Sequence, residues 1–364
     1  MGDTIEIDGS VLEGGGQILR LAVSLSSLLK KSIKINKIRA SRSKGGLRPQ
    51  HLKGIQMARE MCNGNLTGAV IESTEIAFRP GDLKSGQFEA DTQTAGSVGL
   101  IMQVALPIAL YGPSSTTLKL KGGTNADMAP PIDHTMNVFL PMLRKFGGEC
   151  ECSILKRGYY PRGGGIVEVR ISPVDTLKPI HLTTFGTLTR IWGRSYVAGS
   201  LPIKMAHEMA DAAQRILKKV ENDNAKVNIE RVKESSQDAV GNGSGITLFA
   251  ETDSGCILGA SALGSKLIPS VEVGVKAANE LVNTILGEYC VDPHTQDQII
   301  ILMALANGKS IVKCGPMTQH TETAIFIAEK LTNAKFVLNE DQKHVKFLEC
   351  DGIGLKNTNL KKVS

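Results

Sequence analysis

Aromatic side chains are scarce in this chain: they make up 4% of its 364 residues, and only one is a tryptophan. Proteins that hold single-stranded nucleic acid mainly by base stacking need several such rings, so a stacking platform is not expected to be the main mode of recognition. The net charge of +6 suits a partner that is rich in phosphate. Phosphate contact is therefore the expected mode.

Long apolar runs are also missing, and none approaches the length needed to cross a bilayer. The N-terminal Met-Gly-Asp-Thr-Ile-Glu has neither the basic region nor the apolar core of a signal peptide. Seven cysteines are scattered, and Cys150-x-Cys152 has no matching second pair to complete a zinc site or a disulfide framework. We expect an intracellular protein with reduced thiols and no membrane partner, in the nucleoplasm if eukaryotic and in the cytoplasm if prokaryotic.

Three segments follow one scheme, in which a helix with an apolar face precedes a short alternating strand. They span residues 17–36, 97–120 and 296–314. After each comes a second helix that opens near a histidine (His51, His134 and His320), and then a strand hairpin, within 67–79, 149–171 and 335–349. A period of about 80 residues is too long for a solenoid and predicts three compact αβ subdomains.

Between the second and third copies lies a segment with its own elements. Its pattern predicts strands at Ile191–Ala198, 226–232 and 245–261, an amphipathic helix over 205–220 and another from 271, with a turn at 233–245. We therefore expect a small αβ domain at 185–280, inserted into a large catalytic domain formed by 1–184 and 281–364.

His320 follows a strand that ends at Gly315-Pro316, in the expected first turn of a helix. The N–H groups of a helix start bind anions such as phosphate. The positive end of the helix dipole disfavours imidazolium, which leaves a neutral and nucleophilic ring. An ordinary core histidine is the alternative, because Ala324 and Ile327 continue the same helical spacing.

The run from Glu13 through three glycines and Gln17 to Arg20 opens the first helix, where the glycines let backbone N–H groups approach a ligand. It is not a Walker loop, because the Gly-Lys-Ser/Thr ending is missing. A carboxylate beside a phosphate-binding turn is suited to a metal ion that bridges to phosphate oxygens. An acidic residue that merely favours a helix N-terminus is an equal alternative.

Four cations follow in a glycine-containing loop before the next helix: Arg39, Arg42, Lys44 and Arg48. Arginine forks match phosphate, although a solvated charged surface is the usual explanation for such a cluster. Further along, the side chains of Asp297 and Gln298 could read an adenine edge or a ribose, or could cap a helix.

Taken together, several runs resemble the RNA 3′-terminal phosphate cyclase family. They are Glu13-Gly-Gly-Gly-Gln-Ile-Leu-Arg20, Gly46-Leu-Arg-Pro-Gln-His51, Lys121-Gly-Gly-Thr-Asn125, Gly158-Tyr-Tyr-Pro-Arg-Gly-Gly-Gly165, Met303-Ala-Leu-Ala-Asn-Gly308 and the His320 segment. The resemblance implies an α/β (α+β) fold, with three repeated αβ units similar to the C-terminal fold of bacterial translation initiation factor three and a small inserted αβ domain.

The resemblance also implies an ATP-dependent ligase that acts on RNA with a 3′-terminal phosphate, without an obligate protein partner. His320 would attack the α-phosphorus of ATP to give a histidyl–AMP and pyrophosphate. AMP would then pass to the RNA 3′-phosphate, forming an RNA-(3′)pp(5′)A end. Attack by the neighbouring 2′-hydroxyl would close a 2′,3′-cyclic phosphate and expel AMP.

The resemblance assigns roles to individual residues. The catalytic residue would be His320, the ligand of Mg²⁺ or Mn²⁺ would be Glu13, and the phosphate and RNA-end contacts would be Arg20, Arg42 and Gln50. The ATP pocket would be formed by Gln103, Pro130, His294, Asp297 and Gln298, with His320. A histidine at position 294 departs from the tyrosine usual in this family, so an altered nucleotide contact is expected.

Two other interpretations remain at this point. A cyclase-like branch of the same fold acts in ribosome biogenesis without the nucleophile, and would need neither His320 nor the Glu13 turn. An enolpyruvyl transferase on a similar repeated fold uses basic loops for phosphate, but its motifs are not evident in this sequence. His134 is expected to be a structural relic of the repeat, and the role of His51 stays open.

Overall fold

The first repeated unit is a four-stranded sheet covered by two helices. A computed structural model of the protein describes residues 3–340 and 346–361. The elements of this unit are β1 (Ile5–Asp8), α1 (Gly16–Leu29), β2 (Ile33–Asn36), α2 (Pro49–Met61), β3 (Asn65–Thr67) and β4 (Ile76–Arg79). The strand order is β1-β2-β4-β3, in which β1 and β2 are parallel and the other neighbours antiparallel. Ile33 and Ile35 alternate with polar residues in β2 and are fully buried, as expected of a half-buried strand.

The second unit repeats this topology. Its elements are β5 (Gln87–Asp91), α3 (Val98–Leu110), β6 (Thr116–Gly122), α4 (Ile132–His134), a π-helical turn (Thr135–Phe139), α5 (Leu140–Lys145), β7 (Glu149–Gly158) and β8 (Gly165–Ser172). The order β5-β6-β8-β7 has one parallel pair, β5 with β6, as in the first unit. Helix α3 is buried almost all round, because nearly every residue in it is apolar.

The third unit has the same order once more. Its elements are β9 (His181–Leu182), α8 (Pro293–Gln298), α9 (Ile300–Leu305), β15 (Lys309–Cys314), α10 (Gln319–Thr332), β16 (Lys335–Glu340) and β17 (Lys346–Asp351). The order is β9-β15-β17-β16, with β9 and β15 parallel. Residues 341–345 of the predicted hairpin 335–349 lie outside the described residues. Three sheets with one strand order confirm the predicted α/β fold with its internal repeat.

The inserted segment folds around a sheet of its own. Its elements are β10 (Leu188–Ala198), α6 (Lys204–Leu217), β11 (Val227–Lys233), β12 (Ala239–Val240), β13 (Gly243–Thr252), β14 (Ile257–Leu263) and α7 (Ser270–Leu286). Four of the strands form a sheet in the order β11-β10-β13-β14. Apolar side chains between this sheet and helices α6 and α7 form a core that is separate from the core of the repeats.

The structure refines the predicted position of this insert. Strand β9 precedes the insert in the chain yet belongs to the third sheet, so the insert interrupts the third unit between β9 and α8. Helix α7 continues past residue 280 without a break. The limits 1–184, 185–280 and 281–364 stay a prediction, and we propose that the insert ends with α7 at Leu286.

One predicted turn was wrong in part. The stretch 233–245 contains β12, which pairs in parallel with β7, Ala239 opposite Arg157. The insert thus extends the sheet of the second unit. An ion pair crosses the same interface, because Arg157 binds Glu234 of the insert at 3.1 Å while also binding Asp133 of its own unit at 2.7 Å. Removing one partner of such a buried ion pair leaves an uncompensated buried charge, which is strongly destabilising.

None of the helices in the described part of the chain combines the length and apolarity needed to cross a membrane. All seven cysteines are free thiols.

Candidate active site

His320 is the second residue of α10, the helix that follows β15, an interior strand of the third sheet. Thr318 caps this helix, since its hydroxyl accepts a hydrogen bond from the Thr321 N–H at 3.1 Å. Ala324 and Ile327 on the same helix are fully buried, whereas half of the His320 side chain is exposed. His320 is therefore not an ordinary core histidine.

The Glu13 carboxylate lies next to this imidazole. Its Oε2 is 4.0 Å from His320 Nδ1, beyond hydrogen-bond distance, and its Oε1 is paired with the Arg42 guanidinium. The Glu13 backbone N–H donates to Thr323 Oγ1 at 3.3 Å, which ties the glycine turn before α1 to helix α10. A Cβ at Gly15 would overlap the Glu13 carboxylate, so a larger residue there would displace that side chain.

This carboxylate is suited to a divalent metal ion. Only 7% of the Glu13 side chain is exposed, and its Oε2 has no hydrogen-bond partner among the described residues. Residues 3–340 and 346–361 contain no group of three or more acidic, histidine or cysteine side chains arranged to hold a metal. Magnesium is commonly held by one or two carboxylates together with substrate phosphates and water. The unpartnered oxygen of Glu13 fits that mode of binding.

Arg20 joins the Glu13 region to a neighbouring cleft. Its guanidinium is buried and bonds Gln17, while its Nε has no partner among the described residues. Burial lowers the pKa of the Arg20 guanidinium, and the carboxylates of Asp297 and Glu13 oppose that effect. An arginine stays charged under these conditions, so the cleft is lined by a cation that has an unpartnered Nε–H.

The cleft itself lies between α1, α3 and the α8–α9 segment. Four of the residues assigned by resemblance to ATP or phosphate line it: Arg20, Gln103, Asp297 and Gln298. Burial raises the pKa of the Asp297 carboxyl to about 6, against the attraction of Arg20, His320 and His294. Near neutral pH this carboxyl can therefore exchange between donor and acceptor roles toward a ligand.

His51, in the first turn of α2, faces the start of α1 beside Arg20. Its Nδ1 accepts a hydrogen bond from the Arg48 N–H at 3.2 Å. Burial, together with the charges of Arg20, Arg39 and Arg48, lowers the pKa of His51 to about 3. The ring is therefore neutral, with its proton on Nε2, and a Cβ at Gly16 would overlap that nitrogen. The sequence left the role of His51 open; the structure places it in the site.

The cations of the loop before α2 do not all serve one anion. Arg42 pairs with Glu13, as described above. Arg39 donates to the backbone carbonyls of Lys44 and Gly46, and so closes its own loop. Arg48 pairs with Glu72 at 3.2 Å.

Gln50 and Pro130 lie beside the start of α3 and are not among the described residues that line the cleft. The Gln50 side-chain carbonyl accepts a hydrogen bond from the Ser97 N–H at 3.2 Å. The carbonyl of Pro130 lies against Gly99, near the cleft wall.

His294 is also outside the lining of the cleft, and it contacts the insert. Its Nε2 lies 3.2 Å from Glu280 Oε1 on helix α7. Burial alone would lower the pKa of His294, but the hydrogen bond to Glu280 and the carboxylates of Asp292 and Asp297 raise it to about 9. His294 is therefore an imidazolium near neutral pH.

His134 has a structural position behind His294, with the two rings edge to face at 5.8 Å. Its Nε2 lies 3.2 Å from both oxygens of Asp292, which caps α8 through the N–H groups of His294 and Thr295. Asp292 also accepts from the Gly259 N–H in β14 of the insert, at 2.9 Å. Burial would raise the pKa of Asp292, but His134, His294 and the backbone donors hold it at about 2.

Two residues at this site were missed by the sequence interpretation. Thr323 lies one helical turn after His320, and that spacing was a usable signal for its contact with Glu13. Glu280 had no such signal, because its contact with His294 depends on how the insert folds back.

A family model described as RNA 3′-terminal phosphate cyclase matches residues 11–338. A protein of Drosophila melanogaster named RNA 3′-terminal phosphate cyclase is 40% identical over 353 residues, which cover 97% of this chain and 98% of that protein. One of the same name from Pyrobaculum aerophilum is 39% identical, covering 96% of this chain and 99% of its own. A Dictyostelium discoideum protein named probable RNA 3′-terminal phosphate cyclase is 40% identical, covering 96% and 82%. The chain therefore belongs to the RNA 3′-terminal phosphate cyclase family.

Proposed function

We propose that this protein converts an RNA 3′-terminal phosphate to a 2′,3′-cyclic phosphate with ATP, through a covalent histidyl–AMP. The observation that carries the proposal is the half-exposed His320 at the head of α10, with the Glu13 carboxylate 4.0 Å from its Nδ1. A nucleophile, a free carboxylate oxygen and two arginines then meet at one place. The family of the chain and the names of its relatives support the same reaction.

In the first step, His320 attacks the α-phosphorus of ATP. Because Nδ1 faces Glu13, Nε2 is the nitrogen that forms the new N–P bond, and the P–O bond to pyrophosphate breaks. Arg20 and Arg42 neutralise charge on the triphosphate and hold it in line with the ring. A Mg²⁺ or Mn²⁺ ion held by the free Oε2 of Glu13 would supply further neutralisation of phosphate oxygens.

In the second step, an oxygen of the RNA 3′-phosphate attacks the phosphorus of the histidyl–AMP. The N–P bond breaks, and an RNA-(3′)pp(5′)A anhydride forms. In the third step, the neighbouring ribose 2′-hydroxyl attacks the 3′-phosphorus, its proton passes to solvent, and AMP leaves. Activation through an anhydride is needed, since a phosphate monoester has a poor leaving group. Gln50, with Arg20 and Arg42, would hold the RNA phosphate.

The nucleotide would occupy the cleft beside Arg20. Gln103, Asp297 and Gln298 line that cleft and offer donors and acceptors to a base and a ribose. Pro130 and His294 do not line the cleft themselves and would lie at its border, next to the bound nucleotide. His51 is neutral and carries its proton on Nε2, which faces the start of α1. It would therefore add an uncharged hydrogen-bond donor for a phosphate oxygen.

The test is covalent labelling. The purified protein is incubated with [α-³²P]ATP and Mg²⁺ or Mn²⁺, alongside His320→Ala and the matched control His207→Ala, an exposed histidine on α6 of the insert. Acid-labile label on the wild type and on the control, but not on His320→Ala, is the expected result. A folded wild type that takes no label under either metal would refute the mechanism and favour a binding role.

A further inference from the structure

We propose that the hairpin tip between β7 and β8, residues 158–165, is the surface on which the RNA strand lies next to its 3′-terminal phosphate. Tyr160 would stack on a base, and Arg162 would contact a backbone phosphate. This inference rests on the proposed function, since it assigns a path to the RNA substrate of the same site. The tip carries one of the runs that resemble the family, yet none of the steps above uses it.

The hairpin tip is fixed in place by packing against the insert and against the loop before α3. Tyr159 is buried and stacks on Tyr196 of the insert, with ring centroids 5.7 Å apart. The Gly163 N–H donates to the Tyr159 carbonyl at 2.8 Å, which closes the turn. Gly163 has a φ of +65° and packs so closely on the Thr94 carbonyl that a Cβ would overlap it. The tip is thus a fixed platform.

The residues at the top of this platform are free. Tyr160 is 75% exposed although its neighbour Tyr159 is buried. Arg162 is exposed and has neither an ion pair nor a side-chain hydrogen bond within the described parts of the chain. The glycines are sufficient to form a turn between two strands. The exposed Tyr160 ring and the unpaired Arg162 do not stabilise that turn. The pair is suited to a ligand with flat apolar faces and repeated negative charge.

A continuous run of contacts joins the hairpin tip to the phosphate site. Gly163 packs on Thr94 in the loop before α3. In the same loop the Ser97 N–H donates to the Gln50 side chain at 3.2 Å. Gln50 is one of the three residues to which the proposed function assigns the RNA phosphate. A strand whose 3′ end is held there can therefore run along this loop toward Tyr160.

The chemistry of the tip selects single-stranded RNA without a base preference. Stacking on tyrosine tolerates every base, because each has a π face. An arginine fork matches a phosphate oxygen pair and makes binding depend on salt. One exposed tyrosine agrees with the low aromatic content of the chain: phosphate contact dominates, and a single ring orients the strand.

The test measures RNA affinity and adenylylation separately. A 3′-phosphorylated RNA of roughly ten nucleotides is titrated by fluorescence anisotropy into wild type, Tyr160→Ala, Tyr160→Phe, Arg162→Ala and the control Arg170→Ala. Labelling by [α-³²P]ATP is measured on the same preparations. Arg170 is a suitable control because its side chain is 69% exposed on β8, away from the hairpin tip.

We expect Tyr160→Ala to weaken RNA binding by about tenfold or more, with unchanged labelling, and Tyr160→Phe to retain wild-type affinity. Arg162→Ala should weaken binding and reduce the slope of log K against log salt by about 0.7. Wild-type affinity in both alanine variants would overturn the inference. That result is distinct from failure of the proposed function, which would appear as absent labelling of the wild type whatever the RNA affinity.

Discussion

The ion pair between His294 and Glu280 predicts that the stability of the fold depends on pH in the alkaline range. His294 belongs to α8, and Glu280 belongs to the last helix of the insert, so the pair bridges two separately packed parts of the chain. The perturbation is a rise in pH, compared with Glu280→Gln, which removes the partner charge but keeps the shape of the side chain.

The sign follows from the direction of the pKa change. The folded pKa of His294 is raised to about 9, above the ordinary value of 6.5. The pair therefore contributes its full stabilisation below about pH 6.5, and this contribution is lost as the pH rises through 9. Other charges near the ring are Asp292 and Asp297 on the same segment, and His134 behind it.

The magnitude must be reduced for solvent screening. A fully buried group with this pKa change would contribute about 3 kcal/mol. His294 is 40% exposed and Glu280 29% exposed, and exposed ion pairs contribute about 0.2–1 kcal/mol. We expect a loss of about 1 kcal/mol in the free energy of unfolding between pH 6.5 and pH 10, and about half or less of that loss in Glu280→Gln.

Urea unfolding at several pH values measures the loss, and NMR titration of the His294 ring measures the pKa directly. The matched control is Glu272→Gln, an acidic residue in the first turn of the same helix. A His294 pKa near 6.5 in the wild type, or the same alkaline loss in Glu280→Gln as in the wild type, would show that the pair does not hold the proton.

Three further substitutions have expected outcomes. Gly15→Ala should displace the Glu13 carboxylate and lower the rate of covalent labelling by about tenfold or more, with a melting temperature close to wild type; an unchanged rate at every metal concentration would contradict this. Asp292→Ala removes the cap of α8 and leaves His134 unpaired, so the free energy of unfolding should fall by about 3 kcal/mol or more in a urea titration. Gly259→Ala places a Cβ 2.6 Å from the His134 ring, and should lower the free energy of unfolding by about 1–3 kcal/mol in the same assay. A loss below about 0.5 kcal/mol would mean that the backbone of the insert can move away from His134.

Much of the fold could be predicted because each repeat carries long periodic segments. The helix over 17–29 and the strand that follows it recur at 98–122 and 300–314, and length and periodicity identify such elements reliably. Strands β9 and β12 were missed, since each has two residues and no period to detect. Their pairing is decided by tertiary contact, and that same contact locates the insert within the third unit.

The candidate site shows the same difference between features that local sequence indicates and features that tertiary contacts decide. Glu13 and His320 could be singled out from local chemistry, because one stands at a glycine-containing turn and the other at a helix start. Which of four neighbouring cations would meet Glu13 could not, since Arg39 is drawn to carbonyls of its own loop. A carbonyl a few residues away competes with a distant carboxylate, and only the folded loop decides between them.

The position of the insert explains why its residues reach the part of the candidate site around His294. Because it interrupts the third unit between β9 and α8, its last helix leads directly into the segment that carries Asp292 and His294. The insert also returns along β14, where the Gly259 N–H meets Asp292. Any shift of the insert against the repeats must therefore break a bond to the cap of α8. The tight approach of Gly259 to His134 leaves little room for such a shift, so we infer that the insert fixes the orientation of α8 and hence the placement of Asp297 beside Arg20.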